Sequence, residues 1–241
     1  MASTTETGHA KNIANLKSLN EINAGFGADY APSNPLIVLP TMVTQHTTCD
    51  GLQGTVNTQS GIYQPIENAR MIEFKPVKAL VRRVRVAAKS SGASKQFVVD
   101  VNTIATKILG ERASKANPTA ADPAGTSASQ QSYDNTVNNM DALVKMLQGE
   151  PLYNPSKADL KTAALATKKG NMNTANNNVK AAVVPYNKAV IARNKALYTT
   201  TTGLCDVGQT SKNEVRGIYG YSSPEFKLVS KLKFTKLAKV D

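Results

Sequence analysis

Histidine is where a search for acid–base or metal chemistry begins, and this chain offers two, His9 and His46. They do not stand at i, i+4 spacing with a carboxylate between them, so no zinc-hydrolase helix and no His–carboxylate di-metal set is written here. The two cysteines, Cys49 and Cys205, lack the close pairing of a metal site. They read as separate buried thiols in a reducing compartment. No GxxxxGK[ST] phosphate loop, GxGxxG turn or GxSxG elbow occurs. The expectation is a protein without catalytic residues, cofactor or metal, and so not an enzyme.

What remains is cationic. The stretches RRVRVAAK, Arg82 to Lys89, and KLVSKLKFTKLAK, Lys227 to Lys239, offer phosphate or partner contacts, each neutralised phosphate steepening the salt dependence of binding. The candidate contacts are Arg82, Arg83, Arg85, Lys231, Lys233 and Lys236. The preferred reading is plainer: Val81 and Val84 bury one side of a helix while the arginines face water, and the terminal lysines form a charged tail. Phe234 alone lies among those lysines, so no aromatic platform for stacked bases is interleaved with the charges. A formal charge of +12 over 241 residues permits contact with nucleic acid or anionic surfaces without arguing for either.

The elements that must hold these residues are announced twice. YAPSNPLI at 30–37 returns as YNPSKADL at 153–160, and sliding the chain by 123 residues gives ten identities between 30–89 and 153–212. Average composition predicts about one in sixteen. The matches include Tyr30 with Tyr153, Val56 with Val179, Tyr63 with Tyr186, and Arg70 with Arg193; upstream, Asn12 and Asn15 fall on Asn135 and Asn138. Ile108-Leu109-Gly110 then pairs with Ile218-Tyr219-Gly220 at a separation of 110, which predicts 13 extra residues in the first copy near 90–97. The expected architecture is all-α, a tandem duplication of an antiparallel helical-bundle unit with long, Pro-interrupted helices. The units are placed at 1–112 and 132–241, joined by an Ala/Ser/Pro-rich linker at 113–131.

Within each unit the pattern is helical. Val137, Met140, Leu143, Val144 and Leu147 recur at spacings of three and four, and 10–26 repeats the pattern more weakly. Ser156 is expected to cap the long helix that follows, with Asp159 in the capping-box position and Pro35 serving the first copy. Pro65 and Pro185 are expected to kink or break the long helices, while Gly51, Gly54 and Gly61 weaken the first. Gly110 and Gly220 read as C-caps, and Ser223-Pro224-Glu225 starts a short helix ahead of the basic C-terminal segment. Arg70 and Arg193 read as duplicated structural polar residues. Asn12 and Asn135, like Asn15 and Asn138, read as inward amides that fix helix register.

The opening TGHAKN, the Tyr-x-Pro-Ser helix start and the ARN and IYG segments of the second half resemble a group of bacterial proteins of about this length, with the likeness running along the whole chain. The resemblance implies a bacterial source and, because the group's function is not established, carries over no site residue. The N-terminal MASTTETGHAKN has no basic start followed by an apolar core, so no secretory signal is read and a cytoplasmic place is expected, with non-classical export left open. No uncharged apolar run approaches the roughly 20 residues of a membrane span. The expected role is structural: a non-enzymatic assembly protein that self-associates through helical surfaces into a homo-oligomer or filament. The alternative is a basic helical protein that binds nucleic acid through its phosphates.

Overall fold

The computed structural model describes residues 8–111 and 131–237; the expected linker lies outside the described residues except for Gln131. Among them every regular element is helical. The α-helices are α1 (His9–Gly25), α2 (Leu39–Phe74), α3 (Val77–Lys89), α4 (Lys95–Leu109), α5 (Tyr133–Gln148), α6 (Thr162–Tyr198), α7 (Leu204–Tyr219) and α8 (Pro224–Ser230), with 3-10 turns at Gly27–Asp29 and Ala158–Leu160. None is long and apolar enough to cross a membrane.

The chain divides into two compact units. The first takes Met1–Ile62 with Val183–Asp241, and the second is Tyr63–Ala182. These units cut across the halves 1–112 and 132–241, because α2 and α6 each begin in one unit and end in the other. Each unit therefore takes the first helix of one half and the later helices of the other.

Neither proline breaks its helix: α2 runs 36 residues through Pro65 and α6 runs 37 through Pro185. Each ring removes a donor to the residue four earlier, here Gly61 and Ala181. Both of those residues are exposed, so water can satisfy the freed carbonyl.

The Tyr-x-Pro-Ser stretch is not the helix cap that was expected. It is a loop fastened by its tyrosine: the Tyr30 hydroxyl donates to the Ile37 carbonyl at 2.9 Å, and the Tyr153 hydroxyl donates to the Leu160 carbonyl at 3.0 Å. Both bonds span seven residues, and both rings are buried. Ser156 is exposed, and Asp159 is engaged by Arg83.

Burial follows the same spacing along the chain. In α2 and α6 the buried residues pair at 123, Met42 with Leu165, Cys49 with Met172, and Val56 with Val179. In α1 and α5 they pair at 124: Ile13 with Val137, Leu16 with Met140, Leu19 with Leu143. This one-residue offset matters, since on a helix it rotates the buried face by about 100°. Asn135 and Asn138, the partners of Asn12 and Asn15 at 123, are consequently exposed and are not inward amides. The shift to 110 has a counterpart in α4, where Phe97, Val101 and Ala105 fall on Val207, Ser211 and Val215, all buried. Upstream of residue 90, Val81, Val84 and Ala88 of α3 pair at 123 with Leu204, Val207 and Ser211 of α7.

After α3 and α7 the two halves diverge. Ser94 caps α4 by accepting from the Phe97 amide, and Ser223 caps α8 by accepting from the Phe226 amide, the same Ser-x-x-Phe device. The first helix continues for 15 residues to a left-handed Gly110 (φ 72°), whereas the second stops after seven and residues 231–237 follow without regular structure. In KLKFTK, 231–236, lysines alternate with Leu232 and Phe234, a period of two that suits an extended segment better than a helix.

Candidate functional site

In the first unit the basic tail is a strap rather than a free cationic arm. Asn12 of α1 grips it with both ends of its amide, Nδ2 donating to the Thr235 carbonyl at 2.8 Å and Oδ1 accepting from the Thr235 amide at 3.0 Å. Asn15 Nδ2 donates to the Lys233 carbonyl at 2.7 Å. From α7, Lys212 donates to the Leu232 carbonyl at 2.7 Å, and burial lowers the pKa of its ammonium. The Phe234 ring lies over Gly208, where a β-carbon would come within 2.6 Å of it. Of the three tail lysines singled out from sequence, Lys236 pairs with Asp206 at 2.8 Å. Lys231 and Lys233 are exposed.

Arg70 and Arg193, which match at a separation of 123, sit in different units, each near an aromatic pair. Arg70 lies over the Tyr133 ring, 3.9 Å from its centroid, and Tyr133 meets Phe74 edge-on at 4.7 Å. Arg193, buried, sits near His9, which contacts Tyr198 with ring centroids 5.7 Å apart and Nδ1 2.7 Å from the phenol oxygen. His9 and Tyr133 are 124 residues apart, as are Phe74 and Tyr198. The surroundings differ in charge. Arg70 reaches Glu67 at 3.5 Å and Asn176 at 3.4 Å, and Asn176 and Lys180 in turn hold Asp134. Arg193 is bonded to Asn194 Oδ1 at 2.8 Å. Burial, and then the nearby Arg193, lowers the His9 pKa.

In the second unit, α3 carries Val77, Val81, Val84 and Ala88 inward and its cations outward. Arg83 forms a two-pronged ion pair with Asp159, which holds that carboxyl below its usual range. Arg85 pairs with Glu111 at 2.7 Å and bonds Asn102 at 3.0 Å. Arg82 is exposed and has no ion pair among the described residues. Beside it a groove of about 680 Å³ opens between α3 and the 152–160 loop. Lys157 and the exposed Val86 and Leu152 line it.

Among the described residues no group of His, Cys, Asp and Glu is placed to hold a metal ion. Cys49 and Cys205 are unpaired and buried in one core, and burial pushes their thiols up to about 11 and about 12, well away from nucleophilic thiolates. Three structural features lie outside the sequence pattern: the groove, with Lys157 and Leu152 on its loop wall; the amide clamp of Asn12 and Asn15 on the strap; and the bond from the buried Lys212 to the Leu232 carbonyl. The alternation in KLKFTK could have flagged the strap. Nothing in the spacing of Lys157 announces the groove, which exists because the tyrosine-fastened loop faces α3.

No family model, curated protein or solved structure matches the chain.

Proposed function

We propose that this is a non-enzymatic structural or assembly protein, built by tandem duplication of one helical unit, that self-associates into an oligomer or filament. The observation that carries the reading is the make-up of the compact units. Each is completed by elements from both halves of the chain, so one half alone leaves α1 or α5 without the later helices that cover it. The same completion between chains, rather than within one, links copies without any new kind of contact.

The surfaces of the long helices support it. Across 39–66 Asp50 is the one Asp, Glu, Lys or Arg, and across 170–187 Lys180 is, in a chain of net charge +12. On these stretches Val43, Ile62 and Val184 are each about half exposed (46%, 49% and 50%). Faces with little charge and scattered aliphatics can approach one another without desolvating ions.

Size-exclusion chromatography with light scattering, recording absorbance at 260 and 280 nm, tests the proposal. The expected result is a discrete mass several times 25.7 kDa with little 260 nm absorbance. Ile62→Asp with Val184→Asp should return the mass toward that of one chain. A strictly monomeric parent protein at high concentration overturns the reading, and a nucleic-acid-laden peak turns it toward phosphate binding.

A further inference from the structure

We propose that the groove between α3 and the 152–160 loop is a docking site for an acidic peptide segment of another protein, one that sets an apolar side chain between carboxylates. Successive turns of α3 place Arg82, Val86 and Ser90 in one row along the groove wall. Val86 is 68% exposed in the middle of that row, and Leu152 on the loop wall is 56% exposed. Two aliphatic side chains left in water on the walls of one groove of about 680 Å³ form an apolar seat. Arg82 on one wall and Lys157 on the other flank it, and neither forms an ion pair among the described residues.

Charge selects the occupant. The second unit holds 17 Lys and Arg against 9 Asp and Glu, a net +8, while the first holds 12 against 8, a net +4. Two carboxylates of the chain, Asp159 and Glu111, are already spent on Arg83 and Arg85. Arg82 and Lys157 are left to an outside anion. A second copy of this chain brings +12 of its own and meets the groove with like charge. Nucleic acid fits less well than a peptide: no aromatic ring lines the groove to stack a base, and an aliphatic seat does nothing for a phosphate. The 30–37 loop of the first unit has no such site. Its neighbouring hollow is lined by Leu36, Pro40, Thr44, Gln45, Thr202 and Val207 among others, all without charge.

The test is fluorescence anisotropy of the full chain with three labelled probes: a peptide of Glu-Glu-Leu-Glu-Glu pattern, a polyglutamate of equal charge, and a short single-stranded oligonucleotide. The Leu-bearing peptide is expected to bind tightest. Arg82→Glu with Lys157→Glu should weaken it by about tenfold or more, since reversing two exposed charges turns attraction into repulsion. Val86→Ser should weaken the Leu-bearing peptide several-fold and leave polyglutamate unchanged. All three substitutions fall on exposed residues, and circular dichroism confirms that the variants keep their helices. Equal binding of the two peptides, tighter binding of the oligonucleotide, indifference to the charge reversals, or no binding of the Leu-bearing peptide each overturns the proposal. The readout does not depend on the oligomeric state, so it can fail while the assembly reading stands, and the reverse.

Discussion

The two compact units solve the same packing problem with different chemistry. In the second, α5 meets α4, a helix whose backbone is satisfied internally, and the contact is made by Val137, Met140, Leu143, Val144 and Leu147. In the first, the Ser-capped helix is the short α8, and an extended strap with open amides and carbonyls follows it against α1. An apolar face cannot serve such a partner, because each uncovered backbone group would be buried without a bond. α1 therefore turns Asn12 and Asn15 to the strap, while Asn23, standing where α5 has Leu147, donates to the Ser211 hydroxyl of α7 at 2.8 Å. The amides that meet the strap stand beside an aliphatic face of Ile13, Leu16 and Leu19 that α1 shares with α5.

Where both units use the same chemistry, they should respond alike. Leu19 and Leu143 are equivalent and fully buried, and Leu→Ala at either site should cost about 2–5 kcal/mol from lost transfer and the cavity left behind. Urea denaturation of the two variants measures it. Similar losses would sharpen the equivalence of α1 and α5; a loss at one position and none at the other would break it.

Where the chemistry differs, the response should split. Asn12→Ala leaves the Thr235 amide and carbonyl without their partner and should cost about 1–3 kcal/mol. Asn135→Ala, at an exposed position, should stay within about 0.5 kcal/mol. Hydrogen exchange at the Thr235 amide provides the local readout, because that proton should lose protection in the first variant and keep it in the second. If both variants behave alike, the strap is not held by its amide clamp.

Much of this contrast was open to sequence reasoning, and the part that was not has a physical cause. The all-α class, the amphipathic face of α5 and the Gly110 cap follow from local periodicity and backbone preference. Asn12 and Asn135 match at 123 yet are not equivalent, because burial in the first helices runs at 124. A single residue is a small step in an alignment and a large rotation on a helix. The prolines did not break α2 and α6 because exposed carbonyls can turn to water, which depends on exposure and not on the local sequence. The groove depends on a loop fastened by Tyr153 and facing a helix some seventy residues earlier, and no local pattern contains that distance.

The smallest expected effect is a pH dependence confined to the first unit, where His9 stands in the place of Tyr133. Burial and then Arg193 lower the His9 pKa from its ordinary 6.5, so the unfolded chain binds this proton more readily than the folded one. The neutral ring's contribution to stability is thus fully present above about pH 6.5 and declines as the pH falls below it toward the lower folded value. The groups facing the ring are Arg193 and the Tyr198 hydroxyl, and neither gains or loses a proton in that window. Asp206, the lowered carboxylate of the same unit, gives way at more acid pH, as its carboxyl pKa is depressed from 3.8 by the bonds to Lys236 and Thr201 against an opposing burial effect. His9→Tyr, which installs the residue of the other unit, should flatten the melting temperature between pH 7 and pH 5 relative to the parent chain. An unchanged slope would mean that the imidazole is not sheltered beside Arg193, and that the two arginine clusters resemble each other in sequence position more than in surroundings.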